Sequence, residues 1–87
     1  MTVLELRYLA SLRERVGTAA ESLPVPEEGV AFEQLIVLLE ARHGAEVMAA
    51  LTDSSVRLAL NRELVATDGL RLCPGDELAF LPPVTGG

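Results

Sequence analysis

The sequence predicts an α+β domain in which a sheet carries one main helix on one face. Three observations support this: strand-like alternation near both ends of the chain, one clear amphipathic helix between them, and turn signals separating further short strands. Strands, then a helix, then more strands is an order typical of this class. Because 87 residues supply one small core, we expect one domain over residues 1–81 and a protruding tail over residues 82–87.

The N-terminal third predicts two strands joined by a short helix. Residues 3–9 alternate, and one face collects three residues: Leu4, Leu6 and Tyr8. Residues 11–14 have the spacing of a capping box, and Gly17 suits the end of a short helix. Residues 21–25 are interpreted as an edge strand, because an edge tolerates their prolines.

The main helix is predicted over residues 31–43. Its apolar residues recur at helical spacing: Phe32, Leu35, Ile36 and Leu39. Arg42 and His43 fall in the last turn, where positive charge suits the helix dipole, and Gly44 is a natural residue after the end. His43 has no obvious carboxylate or nucleophile partner, so we expect a surface residue without a functional role. Residues 46–51 predict one further helical turn.

The C-terminal part predicts three more strands. The alternation of residues 56–61 indicates a strand, and residues 64–65 a brief returning strand. The sequence Pro74-Gly75-Asp76 suits a type II turn, with glycine in the position that needs a positive φ. The final strand, residues 77–81, should turn Leu78 and Phe80 inward and leave Leu81 outward. Leu9 and Leu81 then lie on the face away from the helix, beside the tail, where they form a candidate docking patch.

Composition excludes several classes of function. The net charge is −6 and all seven basic residues are arginines, so no cluster of cations fits nucleic-acid phosphates. Cys73 is the single cysteine, which excludes an internal disulfide, and no paired metal-ligand spacing occurs. The longest purely apolar run, residues 35–39, is too short for a membrane span, and the N-terminus lacks the pattern of a signal peptide. We expect a cytoplasmic protein that binds no nucleic acid, membrane, metal or cofactor.

The last six residues form the candidate functional segment: Pro82, Pro83, Val84, Thr85, Gly86 and Gly87. Prolines donate no backbone hydrogen bond, so they end the preceding strand and favour a stiff, extended stalk. Glycines without a Cβ fit a narrow channel, which leaves the Gly87 carboxyl unhindered. Other candidate chemistry is sparse: no phosphate loop is present, and the paired acids occupy loop and strand-start positions. The tail is therefore the predicted site.

Three motifs carry a family resemblance. They are Tyr8-Leu9-Ala10-Ser11-Leu12-Arg13-Glu14, Ala59-Leu60-Asn61-Arg62-Glu63, and the terminal run from Gly75-Asp76-Glu77 to Gly86-Gly87. The chain resembles the small subunits of molybdopterin synthase, the MoaD family, over essentially its whole length. The resemblance implies a β-grasp, ubiquitin-like fold, with a mixed sheet and one main helix packed on one face.

The resemblance also implies a mechanism centred on Gly87. An E1-like, MoeB-like enzyme would use ATP to convert the carboxylate into an acyl-adenylate, and sulfur would then replace AMP to give a thiocarboxylate. The tail would enter the large, MoaE-like subunit and donate sulfur to cyclic pyranopterin monophosphate. On this interpretation the chain is a non-autonomous subunit of a heterotetramer, and the active-site pocket lies on its partner.

Partner-surface residues follow from the same resemblance. Four residues are expected to contribute to the apolar partner surface or to buttress it: Leu9, Leu64, Phe80 and Leu81. Leu9 and Leu81 stand where the family often has phenylalanine. Arg13 matches a family pattern and is expected either to make a polar contact near the interface or to cap a surface helix.

Three alternatives stay open at the level of sequence. A ubiquitin-like modifier would join the same activated Gly87 to lysines of target proteins. A thiocarboxylate carrier would instead serve the synthesis of thiamine, cysteine or a thiolated tRNA base. A β-grasp interaction module would carry an inert tail, and deletion of Gly86 and Gly87 would leave its function intact.

Overall fold

The computed structural model describes residues 2–83. Within them, helices and strands follow the order β1 (Val3–Tyr8), α1 (Ser11–Val16), β2 (Ala20–Pro24), β3 (Val30–Ala31), α2 (Phe32–His43), α3 (Ala45–Leu51), β4 (Arg57–Leu60), β5 (Glu63–Val65), β6 (Arg71–Leu72) and β7 (Glu77–Leu81). The main helix, the short helix, the edge strand and the three later strands are confirmed. The turn expected after the main helix is a seven-residue helix, α3.

Five strands form one mixed sheet in the order β2-β1-β7-β4-β5. The central strands β1 and β7 are parallel, with Tyr8 opposite Phe80, whereas the other three pairs are antiparallel. A parallel pair needs a long crossover, and the intervening chain carries α2 across one face of the sheet. This arrangement confirms the predicted α+β, β-grasp fold.

The core lies between α2, α3 and the inner face of the sheet. It is aliphatic apart from Tyr8 and Phe80, whose rings stack with centroids 5.6 Å apart. The fully buried residues alternate along the strands and recur on the helices: Leu4, Leu6, Leu35, Leu39, Leu72, Leu78 and Phe80. The period-two and helical patterns thus identified the core-facing residues correctly.

The predicted capping box at residues 11–14 is wrong. The chain turns at Ala10, which has a φ of 50°, so Ser11 is already the first helical residue and caps nothing. The amides of Leu12 and Arg13 instead donate to the carbonyls of Leu9 and Ala10, at 3.0 and 3.1 Å. Gly17 ends the helix in the left-handed conformation, as expected.

A second, two-stranded sheet pairs β3 with β6 and was not predicted. Strands of two residues are too short to show a period, so no sequence pattern announces them. Gly29 allows the backbone just before β3 to approach β6 closely. Its φ is +82°, and a Cβ there would lie 2.5 Å from the carbonyl oxygen of Leu72.

The turn before β7 ties the start of that strand to the start of β1. Gly75 has a φ of +91°, and the amide of Asp76 donates to the carbonyl of Cys73 at 3.0 Å, as the predicted type II turn requires. The amide of Gly75 donates to the carbonyl of Val3 at 2.9 Å. Cys73 therefore lies at the end of the sheet where β1 and β7 begin.

Candidate functional site

The tail leaves the domain at the C-terminal end of β7. That strand ends at Leu81, and Pro82 and Pro83 follow without regular secondary structure. The amide of Leu9 donates to the carbonyl of Phe80 at 3.1 Å, which holds the end of β1 beside the base of the tail. Four of the predicted site residues lie outside the described residues: Val84, Thr85, Gly86 and Gly87.

The outer face of the sheet has a flat, apolar centre. Ala59 of β4 pairs with Ala79 of β7, and both turn away from the helices. Leu9 and Leu81 line the same open depression as these alanines, and Leu9 is 40% exposed. The structure therefore brings together the two leucines that the alternation placed beside the tail.

Leu64 extends this apolar surface to the base of the tail. It pairs with Ala59 on the neighbouring strand and is 70% exposed. A second open depression of about 530 Å³ is lined by Leu64, Leu81, Pro82 and Pro83. We call the set Leu9, Ala59, Leu64, Ala79 and Leu81 the outer apolar surface.

Arginines border the outer apolar surface. Arg7 and Arg62 line the depression with Leu9, and Arg57 lies opposite Leu81 on the neighbouring strand. Nε of Arg7 donates to the Glu77 carboxylate at 2.8 Å, an exposed pair that contributes little to stability. Sequence reasoning assigned none of these arginines or alanines to the site. Arg7, Arg57 and the alanines occupy outward positions of predicted strands, whereas Arg62 lies in the turn between β4 and β5.

Two predicted interface residues are placed differently. Phe80 is 0% exposed and packs on Tyr8 in the core, so its side chain does not reach the outer apolar surface. Only a buttressing role behind the outer apolar surface is compatible with that position. Arg13 is exposed on α1 and lines a separate depression with Leu9, at the margin of the surface.

A polar cluster lies where α2 ends over the edge strand β2. The Tyr8 hydroxyl donates to the Glu21 carboxylate at 2.6 Å, and Arg42 donates to the same carboxylate at 2.7 Å. His43 Nε2 lies 2.6 Å from Glu21 Oε2. Arg42 also donates to the carbonyl of Ser22 at 3.1 Å, which occupies a backbone acceptor of this edge strand.

The prediction that His43 lacks a carboxylate partner is therefore wrong. Glu21 lies 22 residues earlier in the chain, so only the packing of α2 on β2 brings the two side chains together. The His43 side chain is only 14% exposed and meets the ring of Tyr8 edge to face. No local sequence signal announces a contact between residues so far apart.

Burial and hydrogen bonding shift two pKa values in this cluster. Burial raises the pKa of Tyr8 well above its usual range, and its hydrogen bond to the Glu21 carboxylate raises it further. For Glu21, burial alone would raise the pKa, but hydrogen bonds from Tyr8, Arg42 and His43 together lower it. The cluster is accordingly a satisfied ionic anchor between the helix and the sheet.

No group of three or more His, Cys, Asp and Glu side chains among residues 2–83 is placed to hold a metal ion. None of the helices described is long and apolar enough to cross a membrane.

Comparison with known proteins decides the family. The model of the ThiS family matches residues 6–87. The chain belongs to the ThiS family. It is 36% identical to the molybdopterin synthase sulfur carrier subunit of Escherichia coli, over 98% of this chain and all of the relative. It is 35% identical to the subunit of that name from Homo sapiens, over 97% of this chain and 93% of the relative. The resemblance carried by the three motifs is confirmed.

Solved structures share the fold. Small archaeal modifier protein 1 of Haloferax volcanii superposes with a TM-score of 0.75 at 25% identity, over 97% of this ThiS-family chain and all of the other. A protein–protein complex of subunits 1 and 2 of molybdopterin-converting factor from Helicobacter pylori contains a chain that matches with a TM-score of 0.65 at 21% identity. That match covers 98% of this chain and 99% of the other and bears on the fold alone.

Proposed function

We propose that this protein is the sulfur carrier subunit of a molybdopterin synthase and acts in molybdenum cofactor biosynthesis. The observation that carries the proposal is the continuity of the outer apolar surface with the proline-led base of the tail. End-to-end similarity to relatives named as sulfur carrier subunits supports the same conclusion.

The reacting group in this proposal is the Gly87 carboxyl. A carboxylate is a poor electrophile, and adenylation by an E1-like, MoeB-like enzyme creates a good leaving group. Sulfur then attacks the acyl carbon, AMP departs, and a thiocarboxylate forms. This chain binds no cofactor of its own in these steps, because ATP is bound and used by the activating enzyme.

Transfer then takes place in the pocket of a large, MoaE-like subunit. The outer apolar surface docks on that subunit, since its exposed leucines are the side chains that an apolar interface buries. The stalk at Pro82 and Pro83 directs the tail into the pocket, where the thiocarboxylate donates sulfur to cyclic pyranopterin monophosphate. Two such transfers build the dithiolene.

Intact mass spectrometry tests the first half of the proposal. Coexpression with the activating enzyme should yield protein in which one oxygen is exchanged for sulfur at the C-terminus. A variant extended by one alanine after Gly87 is the matched control, because it leaves residues 2–83 untouched but displaces the reacting carboxyl. Detection of the unmodified carboxylate alone in the wild-type protein would contradict the proposal.

The acceptor is tested separately. The purified thiocarboxylate form should produce molybdopterin when it is mixed with the large subunit and cyclic pyranopterin monophosphate. A thiocarboxylate that forms but yields no molybdopterin would assign the chain to another carrier pathway, such as thiamine, cysteine or tRNA thiolation. Activity retained after deletion of Gly86 and Gly87 would indicate an interaction module with an inert tail.

A second candidate function is protein modification. It is favoured by the structural similarity to small archaeal modifier protein 1. A modifier would use the same activated Gly87 but would form amides with lysines of target proteins. Tryptic digestion of cell extracts should then yield target peptides whose lysine carries residues 72–87, because Arg71 is the last tryptic site of the chain, whereas a dedicated sulfur carrier leaves none.

A further inference from the structure

The outer face of the sheet carries charge of the opposite sign to the chain as a whole. The net charge of the chain is −6. Yet the two depressions that expose the outer apolar surface are lined by three arginines and one carboxylate: Arg7, Arg57, Arg62 and Glu77. Arg13 and Arg15 lie on α1 and line separate depressions, the second together with Glu46 and Asp53.

Strand alternation places two carboxylates on this face, and both are engaged within the chain. Glu77 accepts a hydrogen bond from Nε of Arg7 at 2.8 Å. Glu5, its register partner on β1, accepts one from the Ser22 hydroxyl at 2.7 Å. The other two arginines of the face therefore have no carboxylate partner among residues 2–83.

We call these two, Arg57 and Arg62, the border arginines. Arg57 lies opposite Leu81, at the end of β7 away from both carboxylates. By contrast, Arg42 on α2 and Arg71 on β6, which lie off this face, both donate hydrogen bonds within the chain. The border arginines are thus cations that the described part of the domain does not itself use.

Arg62 occupies a position that favours glycine. It is the second residue of the two-residue turn between β4 and β5, where Asn61 has a φ of 50° and Arg62 a φ of 73°. Two successive positive φ angles are typical of the hairpin turn that prefers Asn-Gly, because a Cβ is disfavoured there. Asn61 offsets its strain with hydrogen bonds to Asp76 and Glu77, whereas the Arg62 side chain makes none with the described residues. An arginine in this position therefore points to a contact outside the domain.

We propose that the border arginines pair with carboxylates on the docking face of the large subunit, so that the outer apolar surface selects an apolar patch bordered by acidic residues. This inference rests on the proposed docking of the outer apolar surface on that subunit. A guanidinium binds a carboxylate through two parallel hydrogen bonds, which favours arginine at such a border. Because the rest of the chain is strongly acidic, attraction at this face alone also orients the approach to an acidic partner.

Association rates with the purified large subunit, measured by surface plasmon resonance, test the proposal. Arg57→Glu and Arg62→Glu each reverse one charge on the docking face. Arg71→Glu is the matched control, because it changes the net charge equally but lies on β6. At low salt we expect the two border variants to associate about tenfold more slowly than the wild type, and the control to differ by less than about twofold. At about 1 M sodium chloride, where charges are screened beyond roughly 3 Å, the differences should largely disappear.

Arg62→Gly separates recognition from stability. Its urea midpoint of unfolding should equal or exceed that of the wild type, because relief of backbone strain offsets the added freedom of the unfolded chain. Its association rate should nevertheless fall about threefold, a loss that misfolding cannot explain. Arg57→Lys keeps the charge and should associate within about threefold of the wild type.

Equal slowing in Arg57→Glu, Arg62→Glu and Arg71→Glu would show that net charge alone matters and would overturn the proposal. Unchanged or faster association of the border variants would overturn it too, since the border of the partner would then be neutral or basic. Both results leave the proposed function standing, because the wild-type protein still binds the large subunit. Failure of the wild-type protein to bind at all would contradict the proposed function, and this inference with it.

Discussion

The two faces of the five-stranded sheet are built from alternate residues of the same strands, yet only one is covered by helices. On the inner face, Leu78 and Phe80 of β7 are fully buried, whereas their neighbours Ala79 and Leu81 face outward. A face that buries large side chains supplies the free energy of folding. A face that leaves leucines exposed around two alanines instead offers a flat apolar area to a partner. One strand therefore serves stability and recognition by simple alternation.

The largest effect is expected from truncating the inner face. Replacing Phe80 by alanine should lower the free energy of unfolding by about 3–5 kcal/mol, because it leaves a cavity against Tyr8. The adjacent Leu81→Ala on the outer face is the matched comparison and should cost about 1 kcal/mol. Urea denaturation measures both. Equal losses for the two variants would mean that the faces do not differ as described.

An intermediate effect is expected at the polar cluster beside the inner face. Glu21→Gln should lower the free energy of unfolding by about 1–3 kcal/mol at neutral pH, because Arg42 and His43 lose their carboxylate partner. The folded-state pKa of Glu21 lies below its ordinary value of 4.5, so its contribution is present above that value and is lost as the pH falls through the folded pKa. Urea denaturation over a pH series should show the wild type and the variant converging in acid.

Ionisation of Tyr8 provides an independent test of the same cluster at alkaline pH. The chain has one tyrosine and no tryptophan, so tyrosinate absorbance reports Tyr8 alone. Its pKa is raised in the folded state by burial and by Glu21, so stability is retained below its ordinary pKa of 10.0 and declines as the pH rises above it. We expect tyrosinate to appear only together with unfolding measured by circular dichroism. Ionisation of Tyr8 in the folded protein would contradict the buried cluster.

The smallest effect on stability and a large effect on binding are expected at the outer face. Leu64→Asp should change the free energy of unfolding by no more than about 0.5 kcal/mol, because the side chain is 70% exposed. Affinity for the large subunit should fall about tenfold or more, since a charge would enter the apolar interface. Val37→Asp is the control: Val37 is 66% exposed but lies on α2. Titration calorimetry that finds equal losses for both variants would place the docking surface elsewhere.

Much of the fold follows from local patterns. The alternation of residues 3–9 and 77–81 and the helical spacing of residues 31–43 correctly identified the inward-facing side chains. Such patterns are readable because a buried face repeats with the period of its own element. The two-residue strands β3 and β6 were not predicted, because two residues are too few to show a repeating pattern. The capping box predicted at residues 11–14 does not form, because the chain turns at Ala10 and Ser11 is the first helical residue and not the N-cap.

Some features of the candidate site could likewise be predicted from the sequence, and others could not. The tail and the outward leucines could be predicted, because prolines end a strand and alternation places Leu81 away from the core. The burial of Phe80 was also implied by that alternation, although family resemblance had set it among the interface residues. The contact of His43 with Glu21 was not predictable, since it depends on how α2 crosses the edge strand.

The sequence by itself determined the α+β class, the inward-facing residues, the lysine-free composition and the Gly-Gly tail, because each is a property of composition or of short-range periodicity. Only the tertiary structure decided which residues of different strands share a surface. The parallel pairing of β1 with β7 brought Leu9 beside Leu81 and separated Cys73 from the base of the tail. The physical reason is that register and strand direction depend on packing across the whole sheet, and no local pattern encodes them.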